Sequence, residues 1–171
     1  MKLFNVLVLI AGLIISLTST VHANSKEHLK CSQFFSKYER QYLLPSRLLK
    51  AIAMQESGKW NKDYQKKVPW PWTMNVRGKG YYFDSKAEAM KKFQHYRSQG
   101  IKSIDVGCMQ VNMKYHGSHF NNYNQAFDPE YNIRYSAILL RKLYKKYGSW
   151  KVAVANYHAG SNRSITLSTT A

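Results

Sequence analysis

The strongest constraint on how this chain folds is the run Pro69-Trp70-Pro71-Trp72 near its middle. Proline lacks the backbone donor a helix needs and clashes with the preceding turn, so no helix passes through this run. Helical periodicity stands on both sides of it. The pattern predicts a helix over Lys26 to Tyr42 carrying Phe34, Phe35 and Tyr38, interrupted by Pro45-Ser46. A second helix runs through Leu48, Leu49, Ile52, Ala53 and Glu56 and stops at Gly58. Residues 60–83 differ in character: Thr73 to Val76 and Tyr81 to Phe83 flank Arg77-Gly78-Lys79-Gly80 as a short hairpin would. Asp84-Ser85 caps a third helix, with Glu88 placed for a capping box. Ile101 to Asn112 lacks a helical period. Asp128-Pro129 opens the longest helix, ended by Gly148, and Ser149 caps a last one through Tyr157. The expected fold class is mainly α with a small β element (α+β): a helical domain beside a small hairpin and loop lobe.

The first residues stand apart from that domain. Lys2 precedes an apolar run, Leu3 to Leu17, and Val21-His22-Ala23 places small residues where a signal peptidase reads. The run is shorter than the ~20 residues a spanning helix needs. The expected organisation is therefore a signal peptide over 1–23, one domain over 24–160 and a short, disordered Ser/Thr-rich tail over 161–171. The protein is expected to be exported, to the periplasm or cell envelope.

Export gives the charge its meaning. A formal charge of +17 over 171 residues attracts polyanions or simply keeps the chain soluble. Nucleic acid is disfavoured as a partner by the leader, whereas wall glycan with its peptide carboxylates, or an anionic membrane surface, suits an exported chain. An oxidising compartment permits a bridge between Cys31 and Cys108, although two buried thiols satisfy the sequence equally. No Cys/His cluster has zinc spacing, and His116 and His119 have no evident third ligand, so neither metal nor cofactor is expected. A monomer is expected.

Glu56 is the acid whose position is unusual. At ~100° per residue from Leu48, it falls at ~80°, inside the stripe formed by Ile52, Leu49 and Ala53. A carboxyl on an apolar face is paired in a structural ion pair or set at a cleft edge. Burial disfavours the charged form of a carboxylate, and a protonated acid is what glycoside cleavage requires of its proton donor. A second catalytic carboxylate is not evident. Asp84 reads as a cap, Asp105 before Gly107 as a turn residue, and Asp63 has no assigned role. The shortage suggests that the substrate supplies its own nucleophile.

Three segments follow in order: Glu56-Ser57-Gly58, Gly107-Cys108-Met109-Gln110-Val111-Asn112, and Ala155-Asn156-Tyr157-His158-Ala159-Gly160. Together they resemble the soluble lytic transglycosylase family, whose domain is lysozyme-like, over about Cys31 to Gly160. The resemblance implies a glycan cleft between the helical domain and the small lobe. It implies that Glu56 is the acid/base and that Ser57 helps position substrate or acid. It also implies that Met109 and Gln110 line the cleft and that Tyr157 stands near the glutamate. His158 departs from the family's usual Asn. Gln110 and Asn112, alternating with Val111, face one side of an extended segment, binding acetamido groups or satisfying a turn. Among Trp70, Trp72, Tyr81, Tyr82 and Phe83, one or two rings touch glycan and the rest pack.

The function so implied is cleavage of the MurNAc-GlcNAc β-1,4 bond of peptidoglycan with formation of 1,6-anhydromuramic acid, for local opening of the wall. The natural partners are glycan strands and, through small relatives of this kind, a secretion, pilus or flagellar assembly. The alternatives are a hydrolytic muramidase and a catalytically impaired wall-binding module. The chain after Gly160 is shorter than the family usually carries.

Overall fold

The computed structural model describes residues 26–161. The expected leader and, apart from Ser161, the expected tail lie outside them. The elements in order are α1 (Leu29–Gln41), α2 (Leu48–Ser57), β1 (Gly58–Asn61), β2 (Lys66–Pro69), β3 (Thr73–Val76), β4 (Lys79–Tyr82) and α3 (Lys86–Ser98). They continue with β5 (Ile104–Val106), β6 (Val111–Asn112), a 3-10 turn (Gly117–His119), α4 (Tyr123–Ala126), α5 (Pro129–Tyr147) and α6 (Trp150–Ser161). The mainly α, lysozyme-like α+β reading holds. None of the described helices is long and apolar enough to cross a membrane.

Local chemistry sets the boundaries. The Ser85 hydroxyl accepts from Glu88 N, and the Glu88 carboxylate accepts from Asp84 N, so the two ends of the first turn of α3 satisfy each other. Asp128 accepts from the amides of Glu130 and Tyr131, and Pro129 occupies the first turn of α5, where its missing donor costs nothing. The helix expected to finish at Tyr157 runs on to Ser161. Gly160 does not stop it, because one glycine costs a helix only about 1 kcal/mol.

Helix α2 starts differently, with Arg47 at a left-handed φ of 66° and no cap from its own side chain. The substitute comes from α1. Glu39, 5 % exposed, accepts from Arg47 N at 3.0 Å and Leu49 N at 2.9 Å. A carboxylate thus closes the positive end of the helix that carries Glu56 at its other end. Beyond Ser57 the chain turns at once into β1. A Cβ at Gly58 would sit 2.3 Å from the Met54 carbonyl oxygen, so this exit requires glycine.

The hairpin expected over 73–83 is present, with β3 and β4 pairing antiparallel from Thr73↔Tyr82 to Val76↔Lys79. Its turn is the shorter Arg77-Gly78, because Lys79 and Gly80 join the ladder. Two further strands come from the stretch without helical period: β5 pairs with β3, and β6 with β5, giving the order β4-β3-β5-β6. A separate β1-β2 ribbon lies beside α2. The alternation of strand side chains sorts the larger sheet into two faces. Met74, Val76, Ile104, Val106 and Val111 point into the core with Leu49, Phe93, Ile133 and Leu140. Asn75, Asp105 and Asn112, paired in register across three strands, form a polar row on the other face.

Cys31 of α1 and Cys108 of the β5–β6 turn form a disulfide across 77 residues, which decides the choice left open by the sequence. The chain-entropy estimate for a loop of that length is ~4 kcal/mol. Replacing both cysteines by alanine is expected to lower unfolding stability by about that amount in urea titrations, with helical circular dichroism unchanged in the folded baseline. An unmoved midpoint would show that the bridge contributes nothing to stability.

Candidate functional site

The β5–β6 turn, Gly107 to Gln110, gathers contacts from distant parts of the chain. Gly107 has φ +79°, and a Cβ there would lie 2.6 Å from Asn132 Nδ2. Asn132 of α5 is fully buried, accepts from Met109 N at 2.9 Å, and donates to the carbonyls of Val106 (3.0 Å) and Ala126 (2.9 Å). Gln110 folds back on its own turn: its side chain donates to Gly107 O at 3.0 Å and Thr73 O at 3.4 Å, with its backbone at φ +47°. Ser57, at the end of α2, donates to Cys108 O at 2.7 Å. Tyr157, on α6, donates to Met109 O at 2.7 Å, and its hydroxyl lies 2.9 Å from Ser136 Oγ. Burial pushes the Tyr157 hydroxyl far above the ordinary tyrosine range, so it remains a donor.

These placements revise the roles expected of the neighbouring residues. Ser57 and Met109 are fully buried and offer no side-chain surface to a sugar. Gln110, Asn112 and Tyr157, at 6 %, 3 % and 7 % exposure, are committed to protein partners. Tyr157 stands near the glutamate as expected, Gln110 satisfies its own turn, and Ser57, Met109 and Tyr157 join it in holding that turn. The reason is simple: a tight turn carries backbone groups that must be satisfied when buried, and these side chains satisfy them. The aromatic cluster divides similarly. Trp70 and Trp72 are buried, each with its ring N–H donated to the protein, whereas Tyr82 is 46 % exposed.

Glu56 lies where the sequence pattern put it. Its side chain is 10 % exposed and borders a cavity of about 380 Å³ with Leu48, Ile52, Val154, Tyr157 and His158. Glu56 Oε1 is 2.7 Å from His158 Nδ1 on α6. His158, set aside as a departure from the family pattern, is therefore the side chain that engages the acid. The two are 102 residues apart in sequence. Their meeting depends on the packing of α2, α6 and the β5–β6 turn.

A second carboxyl lies near Glu56 in charge if not in sequence. Asp105 is not a turn residue but lies in β5, on the polar row of the sheet, 8 % exposed. Its Oδ1 accepts from Asn112 Nδ2 at 2.8 Å, and the same amide reaches Ser103 Oγ at 3.0 Å. Burial raises the Asp105 carboxyl to about 7; the Asn112 bond opposes this and the Glu56 charge adds to it. The pattern Asp-Val before Gly107, with alternation continuing from Ile104, was the available signal of a strand. Its brevity hid it. Among the described residues no group of His, Cys, Asp or Glu has the arrangement of a metal site.

Searches among curated proteins and among solved structures gave no significant match. The sequence does match the transglycosylase SLT domain family over residues 33–168, most of the chain and all three motif segments. With a lysozyme-like fold and a lone helix-end glutamate at a cavity, the chain belongs to the transglycosylase SLT domain family, whose members act on peptidoglycan as lytic transglycosylases.

Proposed function

We propose that the protein cleaves the MurNAc-GlcNAc β-1,4 bond of peptidoglycan with Glu56 as sole acid/base, leaving a 1,6-anhydromuramic end. The observation that carries this reading is the mostly buried Glu56 carboxyl at the edge of a cavity, held by His158. Glu56 donates its proton to the glycosidic oxygen as the bond to C1 breaks. The resulting carboxylate then takes the proton of the muramyl C6 hydroxyl as that oxygen bonds to C1. No water is consumed, and the acid returns to its starting state. His158 fixes the rotation of the carboxyl, which matters because misplacing a proton donor by an ångström costs rate steeply. Ser57, Asn132 and Tyr157 act one step back, by fixing the turn against which Glu56 is set. The leader-like sequence and the positive charge support export to the wall, where local opening of the mesh would serve an envelope-spanning assembly.

Hydrolysis by water is a second reading, and Asp105 is the observation in its favour. A second carboxyl close enough to feel the charge of Glu56 is what a two-carboxyl glycosidase uses. The Asn112 amide holds one of its oxygens.

Glu56→Gln keeps the shape of the side chain and removes the titrating proton. It is expected to reduce clearing of purified peptidoglycan by roughly 10²–10⁴-fold while sedimentation with the wall is unchanged. A wild-type protein that binds the wall but clears nothing would instead favour a binding module. Asp105 yields a prediction in pH. Its carboxyl titrates near 3.8 when unfolded and about 7 when folded. Between these values the folded state holds a proton the unfolded state has lost, so this contribution to stability falls as pH rises through the window. Asp105→Asn is expected to flatten that part of the Tm-against-pH curve. Parallel curves for the two proteins would contradict the assignment.

A further inference from the structure

The turn between α1 and α2 divides its two leucines. Leu44 enters the core, whereas Leu43 beside it is 70 % exposed, more than any other large apolar side chain among the described residues. Leu43 also adopts a left-handed φ of 55°, which glycine takes without strain and a leucine does not. Arg47, four residues on, repeats that conformation at 66°. A glycine at position 43 would make the same turn unstrained and without setting an apolar side chain in water. Strain and exposure therefore coincide on one tip, a combination that points to contact with something outside the chain.

The surroundings of the tip are rich in arginine. Arg40, Arg47, Arg134 and Arg141 are four of the seven arginines in the chain, whose other cations are mostly lysines. Arg134 and Arg141 stand two turns apart on one face of α5, and both reach the end of α1. Arg134 Nε donates to the Tyr42 hydroxyl at 3.3 Å, and Arg141 Nη1 to Leu43 O at 3.4 Å. The Arg40 carbonyl accepts from Leu43 N. The sequence holds no Asp or Glu between Glu39 and Glu56 or after Glu130. Glu39 is buried on the amides that start α2, and Glu130, whose charge Arg134 also feels, is held by Lys37 and Tyr38. A planar guanidinium presents paired donors that match a phosphate group, and each of the two bonds above engages one of its five donors.

We propose that this corner docks the protein on an anionic phospholipid leaflet, with the arginines on headgroup phosphates and Leu43 among the first acyl carbons. The proposal goes beyond the glycan reading and does not depend on it. The shape of the corner favours lipid over a protein partner. A protein interface is built around a closely packed apolar centre, whereas here a single leucine stands on a tip ringed by cations. From Leu48 to Glu56 helix α2 rises about 12 Å, so the acid lies at the end of the helix away from the docked turn.

The full mature protein is sedimented with vesicles of phosphatidylglycerol and phosphatidylcholine in equal parts, and with vesicles of phosphatidylcholine alone. Binding to the first and not to the second is expected. Arg40→Gln with Arg141→Gln should weaken it roughly 25-fold, about fivefold for each arginine. Lys62→Gln with Lys66→Gln, on the exposed β1–β2 ribbon, removes the same charge elsewhere and should weaken binding less than about fivefold. Leu43→Gly suits the left-handed φ, so its urea midpoint should not fall, yet its binding should drop roughly tenfold. Inorganic phosphate at matched ionic strength should leave the protein on the vesicles. No binding to either vesicle, equal binding to both, an equal loss in the lysine control, or wild-type binding by a folded Leu43→Gly overturns the proposal. Displacement by inorganic phosphate also overturns it, since the corner would then hold the anion and not the leaflet.

Discussion

The structure depends on how the backbone of Cys108 and Met109 is held. Four elements meet there. The disulfide ties it to α1, Ser57 ties it to the end of α2, Asn132 to α5, and Tyr157 to α6. Each of the three hydrogen-bonded ties satisfies a buried polar group, and such groups are costly to leave unpaired, typically by about 1–3 kcal/mol each. The ties are therefore obligatory, and their geometry is transmitted to whatever else the same elements carry. Helix α2 carries Glu56 one residue before Ser57, and α6 carries His158 one residue after Tyr157. Fixing Ser57 and Tyr157 on one turn brings their neighbours face to face on the cavity side.

This arrangement gives the three motif segments a common task. Ser57, Gly107 to Gln110, and Tyr157 are the joints of the site, and Glu56 is what the joints place. Gly58 and Gly107 belong to the same logic: at both, the position a Cβ would take is already held by other atoms. Glu39 contributes from outside the motifs by capping the start of α2, so the helix bearing the acid is secured at both ends. Asn75, Asp105 and Asn112 stand in register across three strands, and the Asp105 carboxyl feels the charge of Glu56. This row brings a second titratable carboxyl into a region where the sequence showed one.

Much of this is legible in the sequence. The caps at Ser85 and Asp128, the stops at Gly58 and Gly148 and the inward turn of Glu56 all follow from local chemistry or period, and all recur in the structure. What escaped reading required contacts distant in sequence. Glu39 looks like any surface acid of an amphipathic helix until Leu49 N arrives beside it. Asn132 sits mid-helix, where only the approach of the Gly107 turn gives it a task. Asp105 occupies a strand of three residues, too short for alternation to declare itself. His158 was noticed only as a departure from a pattern, since the spacing of 102 residues to Glu56 carries no signal. The family resemblance implies that Met109 lines the cleft and that Ser57 positions substrate or acid, whereas their full burial places both side chains in the frame.

The central claim is that one carboxylic acid, set by this frame, suffices for cleavage because the sugar supplies the attacking hydroxyl. Mass spectrometry of the soluble fragments released from purified peptidoglycan by the mature protein tests it most directly. The account predicts muropeptides ending in 1,6-anhydromuramic acid, each lighter by one water than its hydrolysed counterpart. Fragments ending only in reducing muramic acid would contradict it and transfer the chemistry to a water molecule and the Asp105 carboxylate.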